Sequence, residues 1–139
     1  MPTGTLGVAA RQDPRQLSNT LKKTTNFNDA GIAAGVSYEN YLPQSAFIIT
    51  VMTEIVTAFN AGSTNVYTVG TVGAAFNNFV AAGDVNPALA GIYPSTRAIG
   101  RSLTAAAAVL PVAKYTQTGT PATTGQAITL IEFEGGWAS

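Results

Sequence analysis

Seven carboxylates and seven Lys or Arg side chains are the whole charged complement of this 139-residue chain, which has no His and no Cys. Without them most zinc, copper, haem and iron–sulfur ligand sets are excluded. Histidine bases, cysteine nucleophiles and disulfides go too. The many Ser and Thr hydroxyls have no His to activate them, and nothing marks a Lys as their base. Glu132 and Glu134 lie two apart and share one strand face, a spacing open to paired-carboxylate chemistry, but a solvated strand face accounts for it. Glu54 stands inside the most apolar stretch. A charge there is expected to pair with an Arg or Lys across an interface, with a raised-pKa acid as the alternative. Gly70–Gly73 and Gly119–Gly125 carry neither a P-loop Lys-Ser/Thr nor a dinucleotide fingerprint, and no acidic run matches a calcium loop. No catalytic, cofactor-binding or metal-ligating residue is assigned, and the chain is expected not to be an enzyme.

The bases are more informative than the acids. Arg11, Arg15, Lys22 and Lys23 stand against Asp13 alone, whereas Asp29, Glu39, Glu54 and Asp84 follow with no base among them. Four bases with few aromatics in a chain of zero net charge do not predict direct nucleic-acid contact. They fit an acidic protein surface, with charge supplying register and Leu17, Leu21 and Phe27 supplying apolar hold. These seven residues are the candidate partner-binding set. Residues 1–34 show no sustained period, although Asp13 and Pro14 suit the start of a short helix reaching Lys23. Ordering about 34 residues costs roughly 34–68 kcal/mol of backbone entropy. Burying its six apolar side chains returns only roughly 9–18 kcal/mol. Strand pairing or a partner is expected to order this segment, with a disordered tail as the alternative. The expectation is an N-terminal arm, 1–34, that leaves its own domain for a neighbouring subunit or shell, and a β domain over 35–139.

The elements behind it read as strands. Ala46–Asn60 alternates with both faces substantially apolar, the pattern of a strand whose one face is core and whose other is covered. Phe47, Ile49, Val51, Ile55 and Phe59 fall on one side. Ile48, Thr50, Met52, Glu54, Val56 and Ala58 fall on the other. Asn60-Ala61-Gly62-Ser63 is a turn, and Asn65–Val72 alternates again. Ala74–Ala82, stopped by Gly83, predicts one short helix. Short strands follow around Ile92 and over Ile99–Leu103, then Val109–Gln117, which Pro111 marks as an edge or bulge. Gln126–Glu134 alternates cleanly. Short strands between Gly- and Pro-rich turns predict an all-β sandwich or barrel.

The chain is 46% hydrophobic and only 10% charged, against about 25% charged in ordinary domains. Little charge favours association. Met1–Thr5 lacks the start of a signal peptide, and no apolar run approaches the ~18 residues of a membrane helix. Cytoplasmic synthesis without membrane contact is expected.

Leu42-Pro43-Gln44-Ser45-Ala46-Phe47-Ile48, Thr57-Ala58-Phe59-Asn60-Ala61-Gly62 and Tyr67-Thr68-Val69-Gly70-Thr71 resemble the head cement, or capsid decoration, proteins of tailed phages. So do Tyr115-Thr116-Gln117-Thr118-Gly119-Thr120, Thr124-Gly125-Gln126-Ala127 and Ile131-Glu132-Phe133. The resemblance covers about residues 38–134, and the size is similar to the cement proteins of short-tailed phages. It implies a jelly-roll-like domain on the outer surface of an icosahedral virion head, made in the host bacterial cytoplasm. There it would clamp neighbouring major capsid proteins as a homodimer, with a trimer as the alternative. The runner-up is a tail-fibre or adhesin domain in which Tyr93, Tyr115 and Trp137 stack on host carbohydrate.

Overall fold

Seven strands carry the fold: β1 (Ser18–Asn26), β2 (Val36–Ser37), β3 (Ala46–Thr57), β4 (Thr64–Gly70), β5 (Gly91–Ser95), β6 (Val112–Thr118) and β7 (Gln126–Gly135). The computed structural model describes residues 18–71, 73, 75–95, 97 and 99–135. The strands form two antiparallel sheets, one ordered β1-β7-β3-β5 and the other β2-β6-β4. The all-β sandwich is as expected. Seven described strands in a four-and-three arrangement are one short of the eight of a jelly roll.

The second half of the expected arm is a strand of the sandwich. β1 pairs with β7 at nine consecutive positions, from Ser18–Glu134 to Asn26–Gln126. Beyond it the carboxylate of Asp29 accepts from Asn26 N at 2.9 Å and closes a turn. Ile32 is buried, and its carbonyl accepts from Tyr115 N. Residues 18–34 therefore do not leave the domain, and Gly35 is not a boundary of the sheet. Strand pairing supplies the order that their sparse apolar side chains cannot. Helix over Ser18–Lys23 is excluded with it, and Asp13–Leu17 lie outside the described residues.

The expected helix over Ala74–Ala82 is absent among its described residues, which form turns. Phe76 has φ +43°, a left-handed value that a helix does not admit. Asn78 receives Thr71 N at 2.7 Å and donates to Thr71 Oγ1 at 2.9 Å, the side-chain competition that makes Asn a poor helix former. Phe79 and Val80 are fully buried instead, with Val80 bridged to Val69 of β4. Residues 99–103 are likewise turns, except for a bridge from Gly100 to Ile48.

β3 departs from strict alternation. A register shift between Ile48 and Thr50 turns Ala46 and Ile48 inward with Val51, Thr53 and Ile55, and turns Phe47 outward with Met52, Glu54 and Val56. One bulge residue thus reverses the faces of the strand's first half. A second shift follows between Ile55 and Thr57, and Phe59 beyond it is buried against Tyr115, ring centroids 4.4 Å apart.

Between the sheets lies an apolar core with a hydroxyl cluster at its centre. Tyr67 of β4 and Thr129 of β7 share a 2.6 Å hydrogen bond, and Thr129 Oγ1 lies 3.1 Å from Thr53 Oγ1 of β3. Tyr38 donates to the Thr129 carbonyl at 3.4 Å. Thr25 of β1 is also fully buried, and its hydroxyl, beside Tyr67, completes no hydrogen bond.

Candidate partner-binding surface

The outward face of the four-stranded sheet is built in rows across its register. One row is Lys22, Leu130, Met52 and Pro94, and the next is Thr24, Ile128, Glu54 and Ile92. Thr20, Glu132 and Thr50 follow toward the Phe47 end. Ile92 is 64% exposed, Phe47 51% and Met52 38%, whereas solvated strand faces are ordinarily polar. Met52, Glu54, Ile92, Ile128 and Leu130 enclose a shallow depression of about 210 Å³. The second apolar face of β3 is therefore solvent-facing in this chain.

Glu54 projects from this face and is exposed, so it has no burial to compensate by pairing within the chain. Glu132 and Glu134 also point outward, the first half-buried and the second exposed. Their neighbours across the sheet are Thr20 and Thr50 for Glu132, and Phe47 for Glu134.

The candidate arm residues do not act as one patch. Leu21 and Phe27 pack against the core from the edge of the sheet. Lys22 and Lys23 alternate, Lys22 outward and exposed, Lys23 half-buried and level with Thr129 on the inner face. An inward lysine on an edge strand discourages a further strand from adding there. Arg11, Arg15 and Leu17 lie outside the described residues.

At the far end of the sheet Asp84 ties the chain before β5 to the chain after it. Its carboxylate receives Arg97 Nε at 2.8 Å and Ala81 N at 2.9 Å, with Ser95 Oγ at 3.3 Å. Partial burial disfavours its charge, but the donors from Ala81, Arg97 and Ser95 together outweigh that and hold its pKa below the usual carboxylate value.

No protein-family model matches the chain, and no curated protein matches it. The fold is shared with a chain of the cyanophage Pam1 capsid asymmetric unit. The Pam1 match has a TM-score of 0.58 at 14% identity and covers 85% of each chain. A match of that breadth takes in most of the sandwich.

The carbohydrate alternative loses one of its aromatics. Tyr115 is 2% exposed and donates to Asn65 Oδ1 at 2.6 Å. Tyr93 is half-buried and bonded to the Leu89 carbonyl, and Trp137 lies outside the described residues. Sequence reading found the doubly apolar β3 but not what exposes Phe47, because a bulge leaves no periodic signal.

Proposed function

We propose that this chain is a structural, non-enzymatic virion protein of the cement type. It binds the outside of a phage head as a homodimer and clamps neighbouring major capsid proteins. The supporting observation is the fold shared over 85% of the chain with a capsid chain of Pam1. The exposed apolar sheet face agrees with a protein that works against other protein surfaces. Stabilisation comes from avidity, since a subunit pair touching two or more shell proteins multiplies modest interfaces. Arg11, Arg15 and Leu17 are the arm residues assigned to acidic and apolar groups of the shell.

Purified heads with and without the protein test this reading. Heads lacking it rupture at lower temperature, and readdition restores the higher rupture temperature. Equal rupture temperatures, or a particle carrying a handful of copies instead of hundreds, would overturn it.

A further inference from the structure

The homodimer of the proposed function needs a surface, and the outward face of the four-stranded sheet has the layout to supply one. Three of its strands, β1, β7 and β3, about 4.8 Å apart along the ten residues from Phe47 to Val56, present roughly 450 Å² in projection, and β5 adds only its short length beside Val51–Ile55. Stable pairs bury about 800 Å² per partner, with apolar centres and polar rims. The three strands thus provide roughly half of what a dimer needs, so the arrangement of charges on them must fix the pairing. The apolar groups of the face are central, Leu130 and Ile128 on β7 with Met52 on β3, and Lys22 stands at the β1 edge.

The charges select the symmetry. Lys22 is on the strand to one side of β7, and Glu54 is on the strand to its other side, one outward-facing position further along. A two-fold axis along β7 carries β1 of one copy over β3 of the other. That places each Lys22 above Met52, within about 7 Å along the strand of the opposing Glu54, a span that a lysine side chain covers. An axis across the strands would instead set Lys22 against Lys22. Aligned sheets packed face to face are a standard arrangement for such surfaces.

We infer that two copies of this chain pair through this face about an axis along β7. Leu130 and Ile128 of both copies fill the centre, and Lys22 of each copy meets Glu54 of the other. The same axis brings the two Glu132 side chains toward one another at the rim. The inference assigns the surface of the homodimer in the proposed function and needs no capsid.

Sedimentation equilibrium of the full chain reads the dimer dissociation constant. Glu54→Lys and Lys22→Glu each weaken it at least fivefold, and the double variant regains most of the loss. Glu132→Gln tightens it. Leu130→Asp gives monomers, and the Lys22 and Glu54 variants, both at exposed sites, cover the case in which that variant misfolds. A monomeric wild type overturns the inference, as does a dimer indifferent to the charge swaps, a double variant without recovery, or a Glu132→Gln that loosens the pair. Head decoration is scored separately. A monomer that still decorates heads leaves the cement reading standing, and a dimer that follows this pattern but never binds heads sinks the cement reading alone.

Discussion

At the scale of single residues the hydroxyl cluster between the sheets governs what can be changed. Tyr67 is fully buried, and its hydroxyl meets Thr129 Oγ1 at 2.6 Å. Tyr67→Phe leaves Thr129 bonded to Thr53, so the loss is one buried hydrogen bond, about 1–2 kcal/mol by denaturant titration. Thr25 is the opposite case, a buried hydroxyl without a bond. Thr25→Val keeps the shape and removes the unmet polar group, and should raise stability by up to about 1 kcal/mol. Burial pushes the pKa of both Tyr38 and Tyr67 up, against the opposing bond to Thr129. In the unfolded chain these tyrosines ionise near their ordinary value of about 10, while in the fold they keep their protons. Their contribution is therefore complete below about pH 10 and is lost as pH rises above it toward the folded values, by at most about 1.4 kcal/mol per pH unit for each. Urea titrations at stepwise higher pH should show the decline, and Tyr67→Phe should make it shallower.

At the scale of elements, close approach between segments sets the tolerances. Gly125 precedes β7 with φ +149°, and a Cβ there would run into the Phe59 ring. Gly125→Ala should cost roughly 2–4 kcal/mol, combining overpacking with backbone strain, and a thermal melt checks it. β1 yields a sharper test. Its pairing lies wholly within residues 18–26, so removing residues 1–17 should leave a cooperative melt. Removing residues 1–34 strips an edge strand, the Ile32 anchor and the cover over Leu21's side of the core, and should abolish it. A cooperative melt from the shorter chain would place β1 outside the folding unit. The strands of the sandwich were legible from alternation and turn residues, and β7 matches its expected span to within a residue. β1 was hidden because Thr20 to Asn26 has too few apolar residues to show a period and takes its conformation from β7. The helix was misread because Phe76, Phe79 and Val80 have helical spacing, whereas Asn77 and Asn78 favour a turn.

At the scale of the whole molecule the candidate surface was half legible. The second apolar face of β3 announced that something must cover it, and the sandwich core covers only the first. Which charges border that face depends on register across four strands, and register is a property of pairing that no single segment carries. Sheet order has a further consequence, which concerns time. β7 lies between β1 and β3, and even its nearest pair with β1, Asn26 and Gln126, is separated by 100 residues. A ribosome delivers β1 and β3 long before the strand that joins them. Until residues 126–135 emerge, β1 has no ladder and β3 lacks its larger neighbour. Such non-local closure belongs to folding times of milliseconds to seconds. The chain must therefore extend through β7 before it can fold, and a nascent chain stalled short of β7 should remain as open to protease as an unfolded one.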